Sequence, residues 1–498
     1  MSTPQNRDRG PVTIGILPND VLLKIFAFYV DEMRWIGRWH TLVHVCRKWR
    51  NIALGSPYHL NLQLVQTEKR AMKKTLEVWP PLPIVIDGDF YSKSGRDNLM
   101  ATLEHNDRVC EIKLWFISHL LWERVLAAMQ VPFPRLTHLD FWFTEASVVP
   151  GSFLGGSAPR LRKLILRGAS FLGLPKLLVS TPYLVELSLR NIPYSGYISP
   201  EAMVDCLSTL TRLKELDLSF ESSQSRSNPQ TRPSSLPSRT LLPALIDFSF
   251  DGVSDYLEDF VARIDAPLLN RMSIEFFYQR TFDTPHLAQF IGRVPHLRSR
   301  DEARVLFSDE KVGITLPGPF NKGVDLEVRC AQLNLQLAFL AQACSSSFPQ
   351  ALITMVERLY VMNWPHEQPE NIENSKWLEL LRPFTTVKCL YLARELVPCI
   401  AAALQGLTGE RVTEVLPSLQ RLFVEENQDF PPSRSDPDQK EAFEPFIAAR
   451  QLSGHTITIS QMENDLVYGP GHWYVALYLQ LRLALTFYAP TFYSWFGS

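Results

Sequence analysis

The sequence predicts an α/β protein: a small helical module at the N-terminus, then an irregular solenoid in which each repeat joins one short strand to a return helix or turn. Two observations carry this. Across residues 16–53, apolar side chains recur at helical spacing in two stretches too short to bury both apolar faces against each other. Further on, the pattern Pro-x-Leu-x-x-Leu-x-Leu returns again and again, with successive first leucines 23 to 32 residues apart. Units of that length cannot bury an apolar face singly and do so by stacking.

Bulk properties set the frame. A chain of 498 residues has room for two or three domains, or for one repeat array with a small module. A formal charge of −2 gives no general attraction to nucleic acid or acidic lipid, so neither is an expected partner. The seven cysteines are scattered and never form Cys-x-x-Cys, which points to neither a disulfide framework nor a zinc site. Residues 1–10 are polar and lack the apolar core of a signal peptide, so a cytoplasmic and/or nuclear location is expected.

Residues 1–12 read as a disordered polar tail. Residues 13–60 form the module. Pro18 with Asn19 and Asp20 starts a helix, since proline already has the φ of a first turn and short polar side chains accept orphan amides. Val21, Leu22, Ile25, Phe26 and Tyr29 follow at helical spacing. Then Leu42, Val45, Cys46, Trp49 and Ala53 form one stripe, with Arg47, Lys48 and Arg50 opposite.

Leu17-Pro18, Val21-Leu22, Ile25-Phe26, Leu42, Val45-Cys46, Trp49 and Ile52-Ala53 together resemble the F-box. This is the short helical module by which substrate receptors dock onto the Skp adaptor of cullin-RING ubiquitin ligases. The resemblance covers about a tenth of the chain. It implies adaptor binding by Leu17, Pro18, Val21, Leu22, Ile25, Phe26, Leu42, Val45, Cys46, Trp49 and Ile52, with Phe26 and Trp49 as anchors. Some of these residues must instead hold the helices together, and the sequence does not divide the set. An ordinary helical hairpin packed on its own domain is the plain alternative.

Residues 61–108 connect. Residues 59–64 alternate polar and apolar as a strand does, 68–79 carry helical spacing, 84–86 are β-branched, and 99–104 suggest another helix. The repeats occupy 109–470, with copies entered at Pro134, Pro159, Pro182, Thr211, Pro243, Pro267, Pro295 and Pro417. Helix-length stretches lie between, at 171–179 and 201–210. Period and pattern resemble leucine-rich repeats, although the expected asparagine is replaced by Thr144, Ala169, Ile192 and Glu221, with Asn191 one residue early. Uneven repeats follow. Between Val305 and Leu380 the phase is lost, while 333–337 and 358–361 keep strand alternation and 387–392 resume the motif. Residues 221–240 and 429–441, rich in serine, proline and charge, read as disordered insertions. Residues 446–455 resemble a terminal element found in basidiomycete F-box proteins of this build. The aromatic tail, 471–498, has Gln480 and Arg482 near its middle, which argues against a membrane span. A segment capping the last repeat or an exposed partner-binding helix remain open for it.

Nothing in the sequence supports a catalytic centre, a cofactor or a metal. No glycine-rich phosphate loop, His-Glu-x-x-His or Gly-x-Ser-x-Gly occurs. His40 and His44 have two-ligand spacing but no third partner, and His366-Glu367, Glu425-Glu426 and Asp436 with Asp438 fall on loops. The resemblance therefore implies a non-catalytic substrate receptor, bound to the Skp adaptor and through it to cullin. Its repeats would hold an unknown protein substrate at outward strand positions: His138, Asp140, Arg162, Lys163, Glu186, Lys214, Glu215 and Asp217. A non-ligase F-box or repeat scaffold that mediates protein–protein interaction only is the alternative.

Overall fold

The computed structural model describes residues 14, 17–32, 39–57, 59–66, 68, 76–77, 79, 81–222, 239–279, 282–298, 300–319, 322–363, 373–425 and 441–462. The expected tails at 1–12 and 471–498, most of both insertions and most of the 68–79 helix lie outside them. The chain divides into two compact units: Met1–Tyr197 with Thr209–Leu213, and Ile198–Ser208 with Lys214–Ser498.

The first unit opens with helices α1 (Asn19–Glu32), α2 (His40–Val45) and α3 (Arg47–Gly55). Pro18 stands just ahead of α1, and its carbonyl accepts the Leu22 amide at 3.0 Å. Leu22 and Phe26, four residues apart, share the buried face of α1. The second apolar stretch is not one stripe. Cys46 is extended (φ −159°, ψ 171°) and separates α2 from α3. The break leaves Leu42 and Ala53 buried, brings Val43 inward, and leaves Val45 and Cys46 exposed.

The strand expected over 59–64 is also shifted. Residues 59–61 form a turn, with Asn61 at φ +47°, and only β1 (Leu64–Gln66) is extended. Asparagine tolerates that left-handed conformation, and the turn ends the alternation. Then follow β2 (Ile84–Gly88), α4 (Lys93–Leu103), β3 (Val109–Trp115), α5 (His119–Ala128), β4 (His138–Val148), β5 (Lys163–Ser170), α6 (Leu174–Val179) and β6 (Glu186–Ile192). The helix expected at 99–104 starts earlier because Ser92 caps it, its Oγ accepting the Gly95 amide at 3.0 Å. Strands β1 to β6 pair in parallel in chain order. Ile86, Ile112, Leu139, Leu164 and Leu187 stand in one register with no exposure.

The proline motif has a physical cause. The amide of its first leucine returns to the carbonyl three residues earlier: Leu136 to Phe133 at 3.1 Å, Leu161 to Ala158 at 3.0 Å, Leu184 to Thr181 at 3.1 Å. Proline takes the second position of that turn, where its fixed φ is the one required. Leu213 makes the same bond to Leu210.

In the second unit the chain runs through α7 (Pro200–Leu207), β7 (Glu215–Phe220), β8 (Thr240–Leu241), β9 (Asp247–Gly252), α8 (Ser254–Ala262), β10 (Ile264–Asp265) and β11 (Arg271–Phe276). Next come α9 (Pro285–Arg293), β12 (Glu302–Phe307), β13 (Lys311–Gly318), β14 (Lys322–Arg329), α10 (Leu333–Ser346) and α11 (Gln350–Ile353). The last repeats are β15 (Arg358–Asn363), α12 (Asn374–Leu381), β16 (Cys389–Leu392), α13 (Val397–Gln405), β17 (Arg421–Glu425), α14 (Glu444–Leu452) and β18 (Thr458–Met462). The proline turn recurs at Leu245, Leu269, Leu297 and Leu419.

Phase is lost after Val305 because the sheet order here is β7-β9-β11-β14-β13-β12-β15-β16-β17-β18. Strand β13 is antiparallel to both neighbours, while β14 is parallel to β11 and β12 to β15. A three-strand meander thus interrupts the repeats. Residues 333–337, expected as a strand, begin α10. Leu337, Leu340 and Cys344 are buried there at helical spacing, and the leucine alternation is only the opening of that face.

Candidate partner-binding surfaces

The N-terminal helices divide the expected adaptor-binding residues into three groups. Leu22, Phe26 and Leu42 are buried; Leu17, Val21, Trp49 and Ile52 are half-buried; Pro18, Ile25, Val45 and Cys46 are exposed. The rings of Phe26 and Trp49 meet at 4.8 Å and join α1 to α3, and Lys48 Nζ donates to the Leu17 carbonyl at 2.9 Å. Trp39 ties the helices to the first repeat, donating from Nε1 to the Gln63 carbonyl at 2.7 Å. Among the side chains that remain outside, three are large and apolar: Ile25 is 41% exposed, Phe28 69% and Val45 59%. Sequence reasoning missed Phe28, although it lies three residues after Ile25 on the same helix. His40 is half-buried against Trp39 and Trp79, and His44 is exposed. Among the described residues no cluster of three or more His, Cys, Asp or Glu is placed to hold a metal, and no helix is long and apolar enough to cross a membrane.

In the first unit, alternate side chains of β3 to β6 project from the face opposite the leucines and align in rows. Glu111, His138, Lys163 and Glu186 form one row; Lys113, Asp140, Ile165 and Ser188 the next; Trp142, Arg167 and Arg190 continue from Trp115 in a third. Lys163 pairs with Glu186 at 2.7 Å and Lys113 with Glu111 at 2.5 Å. Burial holds the His138 imidazole below its usual pKa, partly offset by Glu111. Burial also raises the Asp140 carboxyl, which Arg167, Lys163 and Lys113 pull back. The structure therefore brings together His138, Asp140, Lys163 and Glu186. Arg162 lies one residue before β5, exposed and outside the rows. The third row was missed: Arg167 lies over the Trp142 ring at 4.8 Å, and the ring of Phe116, a residue at φ +50°, stands tilted 4.8 Å from that of Trp142.

Lys214, Glu215 and Asp217 belong to the second unit. Lys214 and Glu215 are exposed, and Asp217 is half-buried at the start of a row that changes character along the sheet. Asp217 aligns with Ser249, Ser273 and Asp325, then with Thr315 and Arg304. Beyond them the same row continues as Tyr360, Tyr391 and Phe423. The two tyrosine rings stack at 4.2 Å and 8°, and Tyr391 stacks on Phe423 at 4.5 Å and 7°. That spacing approaches the separation of adjacent strands, about 4.8 Å, so register alone stacks the rings. Arg304 closes one end at 5.6 Å from Tyr360, and burial pushes the Tyr360 phenol up to about 12. The signal was present as Arg358-Leu-Tyr-Val, Cys389-Leu-Tyr-Leu and Arg421-Leu-Phe-Val, three aligned tetrapeptides with an aromatic in third place.

No family model matches the chain, and no curated protein matches it. Among solved structures it is similar to the leucine-rich repeat-containing protein LegL7 from Legionella pneumophila. The two are 14% identical, over 67% of this chain and 95% of that one, with a TM-score of 0.28. A likeness at that score carries no argument, and the α/β repeat architecture rests on the chain's own strand register.

Proposed function

We propose that this protein is a substrate-recognition subunit of an SCF-type cullin-RING ubiquitin ligase, joined to the Skp adaptor by its F-box-like N-terminal helices. The observation that carries this reading is the exposed trio Ile25, Phe28 and Val45 on helices whose interior is already filled by Leu22, Phe26, Leu42 and Ala53. Large apolar side chains left outside on a small packed module mark a protein-binding face. The outward rows of the repeats supply the surface for a protein substrate, and their mixed charges select no single charge class. The protein catalyses nothing itself in this reading. It raises the effective concentration of a substrate lysine near the conjugating enzyme. A scaffold that binds the adaptor without supporting ubiquitin transfer is the second reading, favoured by the extent of repeat surface relative to the helical module.

The test is co-purification with the Skp adaptor, using Ile25→Asp with Val45→Asp on the exposed face. Wild-type binding, lost in the variant with unchanged circular dichroism, supports adaptor docking. Absence of binding by folded wild type overturns it. Recruitment of cullin and ubiquitin transfer by the bound complex then separates receptor from scaffold. Charge reversal at Lys163 and Lys214 should weaken substrate capture and leave adaptor binding intact.

A further inference from the structure

We propose that the strand-exit edge of the first unit docks a segment of another protein in which apolar side chains are interspersed with aspartate or glutamate. Where β3, β4, β5 and β6 end, four large apolar side chains are exposed: Phe116 by 39%, Val148 by 66%, Leu172 by 74% and Tyr194 by 68%. The chain along this edge, residues 116–118, 143–152, 168–173 and 191–197, carries a single charged residue, Glu145. Local structure does not call for these side chains. Leu172 and Tyr194 each occupy the second place of a closed turn, in which the Leu174 amide donates to the Phe171 carbonyl at 3.1 Å and the Gly196 amide to the Pro193 carbonyl at 2.8 Å. Turns favour glycine, proline, asparagine, aspartate and serine, and a leucine so exposed adds nothing to the core. The turns are also fixed in place. The Val149 amide donates to the Ser170 carbonyl at 2.8 Å, and a Cβ on Gly196 would stand 2.9 Å from the Ser170 Cα, so the ends of β4, β5 and β6 are drawn together. A run of exposed apolar side chains on fixed backbone marks an interaction surface.

Charge selects the partner. The Phe116 ring, 4.8 Å from that of Trp142, leads from this edge to the outward row Trp115, Trp142, Arg167 and Arg190, whose charges are both positive. Trp142 restrains the Arg167 guanidinium at 4.8 Å from its ring, and a cation held over an indole face keeps its N–H donors for other acceptors. Arg190 stands beside Arg167 in register. Against these two cations the edge sets one carboxylate, and Lys113 and Asp140 of the preceding row oppose each other in sign. Neighbouring arginines take carboxylates by charge-assisted hydrogen bonds, while the apolar edge takes the side chains between them. As a surface for the substrate this rests on the receptor reading above, and it gives that substrate a chemistry.

A random peptide library displayed on phage, selected on the immobilised full chain without adaptor, tests this. Enriched peptides should carry Asp or Glu beside apolar residues. Their synthetic forms should bind at least about 10-fold more weakly to Arg167→Glu with Arg190→Glu, and to Leu172→Ser with Tyr194→Ser, with circular dichroism unchanged. Lys388→Glu, a charge reversal in the second unit, should bind as wild type does. No enrichment, enrichment of lysine and arginine, equal binding to every variant, or equal loss in Lys388→Glu overturns the proposal. Binding to phosphatidylcholine–phosphatidylserine vesicles, or dimerisation in sedimentation, that is lost in Leu172→Ser with Tyr194→Ser assigns the edge to a membrane or a second copy and also overturns it. Where the arginine pair unfolds the chain, Arg190→Gln and the serine pair still decide. Peptide binding is read on the chain alone. Failed co-purification with the adaptor would therefore remove the receptor role and leave this surface, and a failed selection would leave adaptor docking standing.

Discussion

Arg450 has no exposure, and its guanidinium is held by main-chain carbonyls, those of Leu416 at 2.9 Å and Val412 at 3.2 Å. Burial lowers its pKa. Those carbonyls belong to the loop that enters the last proline turn, where Leu416 takes φ +50°. Arg450→Met should cost roughly 3 kcal/mol in urea unfolding, because hydrogen bonds to a charged donor are lost and carbonyls are left buried. Lysine should not rescue it, lacking the planar fork that reaches several carbonyls at once. Glu258 plays a related part: its carboxylate accepts the amides of His286 at 2.9 Å and Leu287 at 2.7 Å at the start of α9. Burial nevertheless pushes its carboxyl up to about 7. A raised acid binds its proton more tightly when folded, so its contribution is fully present below the unfolded pKa and is lost as pH rises through about 7. Stability should therefore fall between about pH 4.5 and 7, by at most about 3 kcal/mol, and Glu258→Gln should flatten that slope in denaturant titrations. Neither residue was legible in the sequence, since each acts on backbone far away along the chain. The N-terminal set was legible as a list but not as a partition, because the break at Cys46 decides which side chains face out.

At the scale of elements, the proline motif was readable because it records one local event, a turn closed by the first leucine. The meander was not, since its strands alternate apolar and polar as any strand does and only pairing reveals that β13 runs backward. One glycine makes that meander possible. Gly323 has φ +140°, and a Cβ there would collide with the Leu316 carbonyl oxygen. Gly323→Ala should destabilise the second unit by at least about 2 kcal/mol, through strain and a lost close approach. The measurement is hydrogen exchange, where the loss should concentrate in β13 and β14 while β16 and β17 keep their rates. Leu333 to Leu337 misled for the reason that makes Tyr360 and Tyr391 easy to overlook: a few alternating residues do not show which neighbour they will meet.

For the molecule as a whole, each repeat touches chiefly the repeats beside it, and stability is close to a sum of neighbouring interfaces. Trp39, Trp49, Trp79, Trp115, Trp122 and Trp142 fall in the first unit, so fluorescence reports mainly on that part, while circular dichroism reports on every helix. Urea transitions followed by the two probes should not coincide; a single shared midpoint would show instead that the chain unfolds as one cooperative body. The proposed receptor function was legible only as a resemblance, because docking faces are defined by what is left outside after packing. The meander also constrains how a chain of this build can vary in length. The chain enters it along β12, reverses in β13, and leaves along β14 in the direction of β11. Three strands restore the heading, and two would not. Insertions or deletions of strand hairpins at this point must leave an odd number of strands, or α10 would depart from the wrong end and every later repeat would be turned over.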